Sequence, residues 1–339
     1  MKEQNLQKQA SRQSIIDTSI QKEVPKIKIL LTGGNGMLAY DFIRTQSEKF
    51  DIVAVDRSEC DITSFESVIQ CLALHEPDIL LNCAAYTAVD DAEGIGMKMC
   101  YEVNALGVHN LARATSAFGT EFITISTDYV FDGEKSEGYL PSDECSPIGA
   151  YGMSKYLGEK LALSENPRTI IVRTSWLYGG EIGVMRYEGG DMSDKMEAKN
   201  QKRIFKNFVN TMLRLSESKS ELRVVSDQHG IPTSCVDLSQ ALVEVIENIE
   251  EREYEGKIFH FSNSCDESTK NESQKTNSIT WADFAREIFQ LTGKDTNVID
   301  CTSSEYPTKA KRPSWSILKN DSEIRLQDWK EGLRMYLKQ

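Results

Sequence analysis

The 339-residue chain lacks several features that would each have set its class. No stretch approaches the roughly 20 consecutive apolar residues that span a bilayer, so no membrane association is expected. The four histidines are too few, and the eight cysteines, at 60, 71, 83, 100, 145, 235, 265 and 301, form no C-x-x-C pair. A zinc site, or any other metal, is therefore not expected. A basic surplus is absent too: the net charge of −13 argues against a nucleic-acid partner. Residues 1–25 have no apolar core and carry Glu3, Asp17 and Glu23. They read as a polar extension rather than a secretory or transit signal. Scattered thiols in such a chain suit a reducing cytoplasm.

What the chain does have begins at Lys26. KIKILLTGGNGMLAYDFIRTQ reads as an apolar strand, a glycine turn and a helix. FDIVAVDR, DILLNCAAY, EFITISTDYVFDG and RTIIVRTSWLYG read as further strands. Between them, SFESVIQCLALHEP has helical spacing, with Val68, Ile69, Leu72 and Leu74 on or near one face. AEGIGMKMCYEVNALGVHNLARATSAFG reads as one long helix. This alternation implies an α/β fold, a doubly wound parallel sheet of Rossmann type covered on both faces. Past residue 180 the pattern loosens, with insertions near 181–203 and 264–277 that read as exposed loops. The expected organisation is an extension over 1–25, a dinucleotide-binding domain over 26–180, and a smaller α/β region over 181–339. That last region serves mainly the substrate, with some elements returning to the first domain.

TGGNGMLA places Gly33 and Gly36 in a G-x-x-G turn, with Ala39 where a third small residue is wanted. Such a turn lets a pyrophosphate approach a helix N-terminus, where unpaired N–H groups and the dipole favour anions. Asp56 ends the second strand, at about the distance expected of a carboxylate on the adenosine ribose; it also reads as the cap of the next turn. An Asp alone favours NAD, whereas the neighbouring Arg57 can pair with the 2′-phosphate of NADP. Asp61 either holds the adenine edge or caps the following helix.

AYGMSKYLGEK, residues 150–160, contains Tyr-x-x-x-Lys twice: Tyr151 with Lys155, and Tyr156 with Lys160. Residues four apart share a helix face, and the two tyrosines point about 140° apart, so only one pair can face a cofactor. Leu157, Leu161 and Ala162 mark the expected buried stripe without choosing between the pairs. Ser126 and Thr127 end a strand at the carboxyl edge, where ligands bind in such sheets. A hydroxyl, a tyrosine and a lysine make an acid–base set, the ammonium being expected to lower the phenol pKa from about 10.

The ordered set TGGNGMLA, NCAAYTAVDDAE, VNALGVHNLA, STDYVFDG, SPIGAYGMSK, RTSWLYG and DQHGIPTS, with KRPSWSIL near the end, resembles the extended short-chain dehydrogenase/reductases. Within them it resembles the dTDP-4-dehydrorhamnose reductase family, over residues 27 to about 318. STDYVFDG and RTSW are the specific elements; the glycine turn and Y-x-x-x-K belong to the whole superfamily. The resemblance implies NADP(H)- or NAD(H)-dependent reduction of the C4 keto group of a nucleotide-linked 4-keto-6-deoxy sugar. The expected reaction is dTDP-4-dehydro-L-rhamnose to dTDP-L-rhamnose, in cytoplasmic synthesis of cell-surface polysaccharide. It assigns catalysis to Thr127, Tyr151 and Lys155, with Lys155 also on the nicotinamide ribose. Gly36, Met37 and Leu38 would cradle the pyrophosphate, Asp61 and Ile62 the adenine, and Ala85, Tyr86 and Thr87 the middle of the cofactor. Asn104 would sit near a kink of the active-site helix.

Asp128, Tyr129 and Trp176 would contact the sugar or nucleotide. As residues alone, Trp176 also reads as a core aromatic, Asp128 as a turn cap and Asn104 as a local helix partner. Arg312 reads either as a phosphate partner or as surface charge. Two other functions fit the same resemblance. One is a non-catalytic regulatory subunit like the methionine adenosyltransferase beta subunit, whose relatives tend to lose the RTSW tryptophan, here Trp176. The other is a sugar-nucleotide epimerase, which keeps its cofactor bound. Some relatives are dimers, so a homodimer is an open expectation.

Overall fold

The computed structural model describes residues 25–182, 204–249, 255–265 and 277–338. Nearly all of the N-terminal extension, and most of the two insertions read from the sequence, lie outside the described residues. Six strands form one parallel sheet: β1 (Lys28–Thr32), β2 (Asp51–Val55), β3 (Ile79–Asn82), β4 (Glu121–Thr127), β5 (Ile170–Thr174) and β6 (Ile258–His260). Their order is β6-β5-β4-β3-β1-β2. The chain leaves β1 toward one edge and returns on the other side of it, so the order reverses between β1 and β3. In open α/β sheets the crevice at the carboxyl ends of such a pair takes the ligand.

Successive strand residues face opposite sides, and the core divides accordingly. Ile29, Leu31, Leu81 and Ile123 pack with Leu38 and Phe42 of α1 (Met37–Gln46). Leu30, Leu80 and Phe122 pack with Val68 and Leu72 of α2 (Phe65–His75) and Leu111 of α3 (Val108–Phe118). Leu74 does not join them; it is exposed, on the far side of α2. Ala162 of α4 (Ala150–Glu165) closes that layer.

Two elements from beyond residue 180 complete this unit. Leu238 and Leu242 of α5 (Cys235–Glu247) belong to the first core, and Phe259 of β6 joins them. A separate core gathers Tyr178, Met212, Phe284, Ile288, Trp329 and Leu333. It is built on α6 (Trp281–Thr292), α7 (Trp329–Leu337) and the helix Phe208–Ser216, beside the parallel pair Glu221–Val225 and Asn297–Cys301. Among the described residues no helix is long and apolar enough to cross a membrane.

The long helix expected before residue 119 is broken. Short turns at Val89–Ala92 and Met97–Tyr101 lead into a π-helical segment, Glu102–Gly107, before α3 begins. Wide π turns occur where a local neighbour inserts into the helical ladder, often at functional sites. Here α4 packs closely against that segment. Its first amide is satisfied by Glu93 Oε1, which accepts the Ala150 N–H at 2.6 Å. The buried face of α4 is Gly152, Ser154, Lys155, Gly158, Glu159 and Ala162. Of the expected stripe only Ala162 is fully buried; Leu157 is exposed. Much of that face meets polar groups and backbone, and its apolar contacts are made by small residues such as Ala162, which is why hydrophobicity mislocated it.

Candidate active site

A cleft of about 600 Å³ opens at the β1/β3 crevice, and Gly33, Gly36, Asp56, Arg57, Asp61, Ile62, Ala85 and Tyr86 all line it. Gly33 has φ 72°, and a β-carbon there would lie 2.6 Å from the Ala84 nitrogen, so only glycine fits. Its carbonyl accepts the Gly36 N–H at 2.8 Å, which closes the turn and occupies that donor. Gly36 then caps α1 without a side-chain bond. The anion-favouring end of the helix is left to the Met37 and Leu38 amides, while their side chains pack into the core.

The Asp56 carboxylate accepts the Ser58 hydroxyl at 2.6 Å, the Ser58 N–H at 2.7 Å and Asn35 Nδ2 at 3.0 Å. These donors, Ser58 foremost, hold it below the usual carboxylate range. Arg57 is largely exposed and pairs with Asp61 at 3.4 Å. Asp61 does not cap the next helix. Ser64 does, while Asp61 Oδ1 accepts the Thr63 N–H and hydroxyl. Thr87 is exposed beyond the described lining, its carbonyl accepting the Val89 N–H. Asn104 is placed behind the cleft rather than in it. Its Oδ1 accepts the Tyr86 N–H at 2.8 Å, and its Nδ2 donates to the Tyr86 carbonyl at 3.0 Å and to Ser154 at 3.1 Å. It holds the loop that carries Ala85 and Tyr86.

Thr127, Tyr151 and Lys155 are brought together at the carboxyl end of β4. Lys155 Nζ donates to the Ile125 carbonyl at 2.6 Å and is buried. Desolvation lowers its pKa to about 8, against the opposing pull of the Glu159 carboxylate. Burial raises the Tyr151 phenol, and a hydrogen bond with Thr127 works against that rise. The Lys155 ammonium itself is turned to the Ile125 carbonyl. Ser126 is not part of this group: alternation turns it to the other side of β4, onto Glu159. The second pair stacks on itself, with the exposed Lys160 5.2 Å above the Tyr156 ring.

Next to Thr127, Asp128 is almost fully buried. Its Oδ1 accepts the Thr127 hydroxyl at 2.9 Å, and its Oδ2 has no partner. Desolvation pushes its pKa up to about 6, with Thr127 and Ser316 opposing. An orphaned buried acceptor is costly unless a ligand satisfies it. The Tyr129 ring meets Tyr151 edge-on at 5.5 Å. Trp176 is half-buried, has φ 48°, and stacks on Trp281 with ring centroids 3.5 Å apart. A positive φ in a bulky residue is a true outlier and marks a constrained position.

The segment 310–316 crosses this end of the site. Asp90 accepts the Ala310 N–H at 3.1 Å and Arg312 Nη2 at 3.2 Å, Arg312 approaches Tyr129, and Pro313 packs on Gly133. Sequence reasoning left Arg312 open and missed Asp90, Ser316 and Trp281, since no local pattern links them to β4. Glu159 did carry a signal, standing one turn past Lys155 on the same helix face.

Fold and cleft together define a doubly wound α/β protein with a crevice of the dinucleotide-binding kind. A family model described as "RmlD substrate binding domain" matches residues 27–339. A dTDP-4-dehydrorhamnose reductase of Sinorhizobium fredii is 35% identical over 320 residues, 91% of this chain and 96% of that protein. The chain belongs to the dTDP-4-dehydrorhamnose reductase family. Two solved structures bearing the same enzyme name agree. One, from Clostridium acetobutylicum, is 38% identical with a TM-score of 0.76, covering 92% of this chain and 98% of that one. The other, from Bacillus anthracis and in complex with NADP, is 33% identical with a TM-score of 0.77, covering 92% and 99%.

Proposed function

We propose that this protein reduces the C4 keto group of dTDP-4-dehydro-L-rhamnose, using NADPH held in the β1/β3 cleft. The observation that carries the reading is the meeting of Tyr151, Thr127 and the half-satisfied Asp128 at the carboxyl end of β4, on the same sheet edge as that cleft. The cleft suits a dinucleotide: the glycine turn closes with no side chain in the way, and α1 points its N-terminus inward. Once bound, the nicotinamide would supply a hydride to the sugar carbonyl carbon. Tyr151 then gives its proton to the C4 oxygen, and Thr127 steadies the negative charge developing there. Lys155, fixed on the Ile125 carbonyl, would hold the nicotinamide ribose beside Tyr151. The free Asp128 oxygen takes a sugar hydroxyl, and Trp176 and Tyr129 flank the ring.

The test is loss of reduced cofactor on mixing with dTDP-4-dehydro-L-rhamnose. Wild type turns over; Tyr151→Phe loses about 10²–10⁴-fold in kcat; Tyr156→Phe stays near wild type. Cofactor binding without turnover would favour the regulatory-subunit reading. Tightly retained cofactor with interconversion of sugar epimers would favour an epimerase.

A further inference from the structure

A buried ion pair lies behind the active site. Glu159 and Arg173 side chains are each only 3% exposed and meet at 2.7 Å. Glu159 Oε1 also accepts Arg173 Nε at 2.9 Å and the Ser126 hydroxyl at 2.5 Å. Ser126 stands between two residues that matter. On one side the Ile125 carbonyl holds Lys155 Nζ. On the other Thr127 faces the Tyr151 phenol. One carboxylate on α4 therefore grips the single β4 residue whose neighbours contact both Lys155 and Tyr151. Arg173, paired with Ser126 across β4 and β5, fixes that carboxylate from the next strand. Its other donors go to the Pro141 carbonyl, His260 Nε2 and Cys145 Sγ.

We propose that Glu159 is a positioning residue for the reduction: through Ser126 and Arg173 it sets α4, and with it Lys155, against β4. The inference rests on the reductase reading for its kinetic consequence, but not for its effect on Lys155. The charged and titratable groups facing Lys155 are Glu159 on its own helix, Cys83 after β3, and Cys100 on the Met97–Tyr101 turn. Burial raises both thiols, so they stay neutral near neutral pH. Glu159 is left as the anion that opposes desolvation of the ammonium.

The experiment measures the Lys155 pKa directly, from the pH dependence of its ε-carbon shift in lysine-labelled protein, assigned by Lys155→Arg. Glu159→Gln is expected to lower that pKa by about one unit. In the wild-type reaction the same variant moves the alkaline limb of kcat downward and cuts kcat about tenfold, with little change in KM. Ser126→Ala breaks the grip yet leaves the ion pair; it lowers kcat and leaves the Lys155 pKa in place. Because Glu159→Gln strands a buried guanidinium, Glu159→Gln with Arg173→Gln serves as the folded substitute. An unchanged Lys155 pKa in a folded Glu159 variant overturns the proposal. Failure of wild type to reduce the sugar overturns only the reductase reading, since the Lys155 titration is read without substrate.

Discussion

The carbonyl oxygen of Asn104 lies 2.1 Å from the point that a β-carbon on Gly158 would occupy. α4 lies against the π segment only because residue 158 has no side chain. That approach also lets Asn104 bond Ser154 while it holds the Tyr86 backbone. Gly158→Ala is expected to cost about 1–3 kcal/mol through overpacking. It should raise KM for NADPH more than KM for the sugar, because Tyr86 loses its anchor. Thermal melting and paired KM measurements check this; a variant that melts and binds like wild type contradicts the contact.

Lys155 should give the proposed reduction an alkaline limit. The ammonium is present below its pKa of about 8 and is lost as pH rises through it. The kcat profile should therefore fall with a midpoint near that value. Lys155→Arg, which stays charged throughout, should lower the rate but abolish the limb. A wild-type profile that stays flat to about pH 10 would rule Lys155 out as the titrating group.

Asp128 trades stability for function. Its folded pKa of about 6 lies above the ordinary value, so the fold favours the protonated acid. That contribution is complete below about pH 4 and is lost as pH rises through the folded pKa. Asp128→Asn should therefore stabilise the protein near pH 8 by up to about 2–3 kcal/mol. The gain should vanish in acid, and sugar turnover should fall. Denaturant titrations at several pH values read the first effect and kinetics the second. A variant no more stable than wild type at about pH 8 would count against the buried, orphaned carboxylate.

Cofactor choice should depend on Arg57. Asp56 is already engaged by Ser58 and Asn35, while Arg57 extends into solvent at the edge of the cleft. Losing a charge-assisted bond to a 2′-phosphate costs about 1.5–3 kcal/mol, or roughly tenfold and more in affinity. Arg57→Ala should thus raise KM for NADPH by that factor and leave NADH nearly unchanged. Equal effects on both cofactors would remove Arg57 from phosphate recognition.

The sequence by itself determined the sheet, the glycine turn and the cofactor cleft. These depend on local rules: apolar runs make buried strands, a turn at positive φ demands glycine, and a strand–turn–helix unit presents an anion site. The Tyr151/Lys155 and Tyr156/Lys160 pairs have identical spacing, so helical geometry could not separate them; only the family's motif did. In the structure the difference is physical: β4 sets Thr127 and the Ile125 carbonyl opposite one pair, while the other stacks on itself. Tertiary contacts also decided which face of α4 is inward. Its partners are a serine, an arginine and two backbone carbonyls, so the buried face is polar and Leu157 points to water. The return of α5 and β6 to the first core, and the passage of Arg312 and Ser316 over the site, join residues far apart in the chain. No local period encodes such meetings; they exist only once two packed layers bring distant segments to one edge of the sheet.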